Sequence, residues 1–165
     1  MVINLRFATF ADLERLQYWD KQPHIIASNP NDQWNWEVEL KDKSEGREQL
    51  IAELNDRPIG FIEITDPARD DSNYWGSIEE NVRAIDIWIG EKKDLGKGYG
   101  TKMMQLALIR CFSNPLVTAI FVDPLANNTG AHRFYERLGF KFLEQRQFGN
   151  DKCCVYRLSR ENWQH

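Results

Sequence analysis

The segment Leu95-Gly96-Lys97-Gly98-Tyr99-Gly100-Thr101 constrains this chain more than any other stretch. Its three glycines stand at alternate positions, after an apolar run at 85–89 and before an apolar-periodic stretch at 103–112, so it reads as strand, glycine loop and helix. Glycine lets consecutive backbone N–H groups converge, and a helix that starts there adds unpaired donors and the positive end of its dipole. Such a junction favours an anion, and a phosphate-bearing ligand is its natural guest. A tight turn alone explains two of the glycines but is a strained explanation of all three with Lys97 among them.

Spacing excludes two common phosphate loops. A Walker loop needs G-x-x-x-x-G-K-[ST], whereas Lys97 precedes the last two glycines. A dinucleotide fingerprint needs G-x-G-x-x-G near the start of a βαβ unit, whereas this loop is G-x-G-x-G and late in the chain.

A chain of 165 residues predicts one domain over 1–165, large enough to bury a core without disulfides or metal. The net charge of −4 argues against a nucleic-acid partner and for a cationic one. No apolar run approaches a membrane span, and the first ten residues lack the pattern of a signal peptide, so the cytoplasm is the expected compartment and no membrane partner is expected. Cys111, Cys153 and Cys154 form no C-x-x-C, and His24, His132 and His165 are scattered, so no metal site is expected.

Residues 3–7 read as a first strand, and Thr9-x-x-Asp12 as a capping box opening a helix with Leu13, Leu16 and Trp19 on one side. Pro23 marks its end, 24–33 reads as a loop, and 34–40 as a second helix or a flap lining a pocket. Residues 49–54 and 59–65 form an expected hairpin around Asn55-Asp56-Arg57-Pro58. The stretch 66–81 is long, polar and acidic, with Glu79, Glu80, Tyr74 and Trp75, and tilts toward a substrate lip. In the strand predicted over 82–89, Ile85, Ile87 and Ile89 share one face and Ala84, Asp86 and Trp88 the other. A carboxylate in mid-strand is costly unless its face opens on a cleft or a partner such as Arg83. A helix over 99–112, a parallel strand over 118–122, a helix over 129–138 and a hairpin of 142–148 with 153–158 complete the chain.

This order of elements resembles the GNAT acetyltransferase family over nearly the whole chain. Gly96-Lys97-Gly98-Tyr99-Gly100-Thr101 matches its acetyl-CoA pyrophosphate loop, and Asn128-x-x-Ala131-x-x-x-Tyr135-Glu136-x-x-Gly139-Phe140 matches its second CoA motif. Leu95 departs from the Gln or Arg common at the start of that loop, although leucine occurs among aminoglycoside 6′-N-acetyltransferases. Arg57-Pro58-Ile59-Gly60, Val82-Arg83-Ala84-Ile85-Asp86 and Asp123-Pro124 resemble that group most closely.

The resemblance implies an α/β (α+β) fold: a single mixed, mostly antiparallel sheet of six to seven strands, the fourth and fifth parallel and splayed around acetyl-CoA, with about four flanking helices. It implies direct attack of a primary amine on the acetyl-CoA thioester, the amine belonging to a cationic small molecule such as an aminoglycoside. Backbone donors of Leu95, Gly96, Lys97, Gly98, Tyr99, Gly100 and Thr101 would take the pyrophosphate, those beside Ile87, Trp88 and Ile89 would polarise the carbonyl, and Asn128 would contact the CoA arm. Asp86 is the candidate to hold the ammonium and pass on its proton, and Tyr135 to protonate the leaving thiolate. Glu79, Glu80 and Asp123 are candidates to receive amino groups, and Trp34, Trp36 and Trp75 to stack on sugar faces. Acylation of a siderophore hydroxylamine or peptide N-terminus, and a non-catalytic acetyl-CoA-binding module, are the competing readings. A monomer and a homodimer are both compatible with the sequence.

Overall fold

The computed structural model describes residues 2–41 and 44–163, so His165 lies outside the described residues. Seven strands form one sheet: β1 (Ile3–Phe7), β2 (Arg47–Leu54), β3 (Arg57–Thr65), β4 (Val82–Ile89), β5 (Ala119–Val122), β6 (Lys141–Phe148) and β7 (Asp151–Ser159). Their order across the sheet is β1-β2-β3-β4-β5-β7-β6, antiparallel except for the parallel pair β4–β5. Five α-helices accompany it: α1 (Leu13–Asp20), α2 (Pro23–Ser28), α3 (Trp36–Lys41), α4 (Tyr99–Phe112) and α5 (Thr129–Arg137). None of the described helices is long and apolar enough to cross a membrane.

The parallel pair creates the opening in the sheet. β4 pairs with β3 as far as Ile89, opposite Gly60, but with β5 only over Val82–Ala84. Beyond Ala84 the strands diverge, and the β5-facing edge of β4 is left for another partner.

Local chemistry explains most element boundaries. Asn55 (φ 49°) and Asp56 (φ 69°) are both left-handed, the geometry of a two-residue hairpin whose twist matches its strands, and they join β2 to β3. Asp12 Oδ2 accepts the Thr9 N–H at 2.8 Å ahead of α1. The 24–33 stretch is not simply a loop: Pro23 opens α2 rather than only closing α1, because proline at a first helical position loses no bond the helix needs.

Alternation along β3 and β4 divides the core. On one face Ile62, Ile64 and Ile85 pack with Met103, Met104, Ala107 and Leu108 of α4. On the other face Phe61 and Trp88, opposite one another in register, join Trp19 and Trp36 in a second cluster, while Ala84 belongs to a third with Trp75, Phe121 and Phe148. Between these two clusters, in the same row of the same face, stand Glu63 and Asp86. The polar site therefore lies where the apolar cover of that face parts.

Candidate active site

The gap between the two clusters is the floor of a cleft of about 1030 Å³ that runs from the polar face of β3 and β4 to the glycine loop and α5. Two of the three loop glycines are required by backbone geometry, since Gly96 has φ 72° and Gly98, the residue before α4, has φ 81°. Gly100 is different: it lies in the first turn of α4, where a Cβ would rest 3.6 Å from the Phe134 ring. Leu95, Gly96, Gly98, Tyr99, Gly100 and Thr101 line the cleft, as do Ile87, Trp88 and Ile89 on the diverging strand, whereas Lys97 points to solvent outside the lining. Preceding the loop, buried Asp94 receives two hydrogen bonds from Arg57, each 3.0 Å, which tether the turn to the β2–β3 hairpin.

Asn128 caps α5, its Oδ1 accepting the Ala131 N–H at 3.2 Å. Two helix turns beyond Asn128, Tyr135 is buried but reaches the cleft wall, packed edge-on against Phe140. Burial raises its hydroxyl above the ordinary tyrosine range, and the charges of Asp86 and Asp123 add to the shift. Tyr135 therefore keeps its proton at any working pH.

Carboxyl groups dominate the other end of the cleft. Asp32, Glu63, Asp86, Asp123 and Asp151 all line it, and none has an arginine or lysine within 4.0 Å among the described residues. Asp86 is exposed to solvent within the cleft, yet desolvation by the surrounding walls, and then the charges of Asp123 and Asp32, raise its carboxyl above the usual carboxylate range, with Arg47 acting against them. Asp123 is raised by burial too, partly offset by the Tyr74 hydroxyl, which donates to its Oδ2 at 2.5 Å. Asp32 is exposed, but desolvation by the cleft walls raises it as well, helped by Asp151 and Asp20. Arg47 lines the same cleft but forms its ion pairs with Asp70 and Glu39, so a bound cation would add the direct partner that these five carboxyl groups do not have among the described residues. Among the described residues no three His, Cys, Asp or Glu side chains stand close enough to hold one metal ion.

The aromatic and acidic candidates divide. Half-buried Trp34 lines the cleft and is stacked at 4.5 Å on Trp36, which does not line it; Trp36 is core, 2% exposed, with its indole N–H donating to Asp20. Trp75 lines the cleft from a buried position against Phe121 and Phe148. Glu79 and Glu80 lie outside the lining; Glu79 approaches Arg157 at 3.5 Å, because the 66–81 segment turns its Tyr74 and Trp75 inward and its glutamates outward. Arg83 is no partner for Asp86: it pairs with Asp66 at 3.4 Å.

Asp32, Asp151 and Glu63 are lining carboxyl groups that were not anticipated. Asp32 and Asp151 come together only through the fold, when Asn31 donates to Asp151 Oδ1 at 2.5 Å across the cleft rim. Glu63 carried a legible signal, a carboxylate between Ile62 and Ile64 in an apolar strand, the same signal that singled out Asp86.

A diverging parallel strand pair, a left-handed glycine loop opening α4 and an Asn-capped α5 beside one cleft agree with the match of residues 9–148 to the acetyltransferase (GNAT) domain model. The chain belongs to the GNAT acetyltransferase family. This GNAT chain is 30% identical over 153 residues to aminoglycoside N(6′)-acetyltransferase type 1 of Klebsiella pneumoniae, covering 84% of the chain and 74% of that protein. It is 26% identical over 160 residues to the lysine N-acyltransferase MbtK of Mycobacterium tuberculosis, covering 93% of the chain and 76% of that protein. Its fold superimposes with a TM-score of 0.89 on the structure of AAC(6′)-Ib in complex with paromomycin and acetyl-CoA, at 27% identity, covering 98% of this chain and 96% of the other. The GNAT fold expected from the order of elements is the fold observed.

Proposed function

We propose that this GNAT enzyme transfers an acetyl group from acetyl-CoA to a primary amine of a polycationic small molecule, the 6′-amino group of an aminoglycoside. One observation carries the reading: five cleft-lining carboxyl groups with no ion pair among the described residues stand at one end of a cleft whose other end is a left-handed glycine loop. An acidic basket selects a substrate with several ammonium groups, and its names among relatives at 30% identity support the same class.

The residues fit acetyl-CoA. Backbone N–H groups of the 95–101 loop and the N-terminus of α4 suit the pyrophosphate, Asn128 and the start of α5 flank the pantetheine arm, and the unpaired edge of β4 beside Ile87, Trp88 and Ile89 offers donors to the thioester carbonyl. Bound acetyl-CoA supplies the activated acetyl group. Asp86 holds the incoming ammonium and accepts its proton, a task for which its raised affinity for protons suits it better than an ordinary carboxylate. Tyr135, protonated throughout the working range, supplies a proton to the thiolate. Asp32, Asp123 and Asp151 receive the remaining ammonium groups, and Trp34 offers a ring face to a sugar. Direct attack of the amine, without an acyl-enzyme, is the mechanism of this reading, and the burial that raises the cleft-lining thiol of Cys153 to about 12 supports it by disfavouring the thiolate.

Release of free thiol from acetyl-CoA, followed with kanamycin, spermidine, free lysine and a neutral-tailed peptide, tests the assignment. Turnover with kanamycin above the others, with acetylation at the 6′ nitrogen by NMR, is the expected result. A preference for lysine or the peptide would overturn it in favour of the acyltransferase reading.

A further inference from the structure

Glu63 is 4% exposed, yet it lines the cleft and stands directly opposite Asp86 in the antiparallel register of β3 and β4. Opposed residues share a face, with Cβ atoms about 5 Å apart. Groups from three elements face it. From β2, Gln49 Nε2 donates to Glu63 Oε2 at 3.0 Å and also to Glu39 Oε2 at 3.0 Å, and Arg47 attracts it while bonded to Asp70 at 2.8 Å. From α3 comes Glu39, and from β4 comes Asp86, both of which repel its ionised form. Arg47 makes its ion pairs with Asp70 and Glu39 and none with Glu63, so the Glu63 carboxyl has an amide for a partner but no cation.

We propose that Glu63 is a positioning residue for acetyl transfer that works through Asp86, the two opposed carboxyl groups holding one proton between them and together taking the proton that the acceptor nitrogen must lose. The proposal rests on the reading of Asp86 given above. Its logic is proton balance. An ammonium that becomes an amide loses two protons from nitrogen: one before attack, to free the lone pair that forms the N–C bond, and one after. The C–S bond breaks with its electron pair going to sulfur, which takes up one proton; the other must leave the site. Asp86 alone offers one carboxylate for this traffic. Two carboxyl groups that face one another disfavour simultaneous ionisation, and Arg47, committed to Asp70 and Glu39, offsets this only in part, so the pair shares a proton and exchanges it readily. Burial first, and then the charge of Asp86, push Glu63 up to about 7, which matches it to neutral solution.

Two measurements on the full chain test this. In the first, kcat/KM for kanamycin is followed against pH for wild type and Glu63→Gln, which keeps the shape and the hydrogen bond to Gln49. With a neutral neighbour Asp86 loses the repulsion of the facing carboxylate while that of Asp123 and Asp32 remains, so the acid limb moves to lower pH, kcat at pH 8 falls several-fold and KM for acetyl-CoA is unchanged. A superimposable profile overturns the proposal. In the second, the Glu63 carboxyl is titrated by carbon-13 NMR without substrate, in wild type and in Asp86→Asn. Its midpoint is expected to fall in the variant, and an unmoved midpoint also overturns the proposal. A wild-type protein inert on every amine would overturn the role in catalysis together with the reading it rests on, and the NMR coupling would then show that the shared proton itself survives.

Discussion

The Tyr74 hydroxyl donates to Asp123 Oδ2 at 2.5 Å, fastening the 66–81 segment to the residue that follows β5. The bond favours the ionised form of Asp123 against the burial that raises it. Tyr74→Phe removes the bond and leaves Asp123 more readily protonated, so the cleft loses part of its charge. Because Tyr74 is 48% exposed, we expect a loss of about 1 kcal/mol, read as a roughly fivefold rise in KM for an aminoglycoside at pH 7. KM for acetyl-CoA should stay constant. An aminoglycoside KM that does not move would show that Asp123 is not a contact.

Asp86→Asn and Tyr135→Phe separate the two proton tasks. Each preserves shape and removes one exchangeable proton site. Loss of a general base or acid is expected to lower kcat by about 100-fold or more, while coenzyme A binding measured by calorimetry is retained. Tyr135 packs on Phe140 and Tyr156, and phenylalanine keeps those contacts, so the folded state should survive. Wild-type turnover in both variants would remove them from the reaction.

Gly98→Ala tests the glycine loop through its backbone. Gly98 has φ 81°, and a Cβ there would meet nothing within 4 Å, so the substitution introduces strain without a clash. A cost of about 1 kcal/mol is expected, visible as a drop of a few degrees in Tm. Relief of that strain would reorient the N–H groups at the start of α4, so coenzyme A affinity should fall more than stability does. Gly96→Ala should behave alike, whereas Gly100→Ala, with normal φ and 3.6 Å to Phe134, should be milder. Equal effects at all three positions would contradict this account.

The parts legible in the sequence were those written locally. Strand β4 and helix α4 fall where the alternation of 82–89 and the periodicity of 99–112 put them, because burial on a strand or a helix imposes its period on neighbouring residues. Asp86 stood out for the same reason. Glu63 carried an identical signature but required weighing a second carboxylate, this one buried, against the strand that surrounds it. Orientation within irregular segments was not legible: Glu79 and Tyr74 belong to one acidic stretch, yet one side chain pairs outward with Arg157 and the other reaches Asp123. Trp34 and Trp36, two residues apart, divide between cleft and core because α3 begins only at the second. Asp32 and Asp151 face one cleft through chain closure alone, which no local pattern encodes.

Arg57 and Asp94 connect stability to the loop, and pH separates their contribution. Asp94 is buried, and the Arg57 guanidinium holds its carboxyl below the usual carboxylate range. A group whose folded-state pKa is depressed stabilises the fold above its unfolded pKa, and that contribution fades as pH falls through the folded value. Arg57→Gln should therefore lower stability at pH 7, by about 1–2 kcal/mol given that Arg57 is itself 44% exposed. Below about pH 4, where the unfolded carboxyl is protonated, the gap between wild type and variant should narrow. Because Leu95 follows the tethered turn directly, the same variant should raise KM for acetyl-CoA without altering the preference among amines. Thermal melts of both proteins at pH 7 and pH 3, with acetyl-CoA kinetics at pH 7, decide it: a stability gap independent of pH would mean that the Arg57 side chain acts through packing rather than through its charge on Asp94.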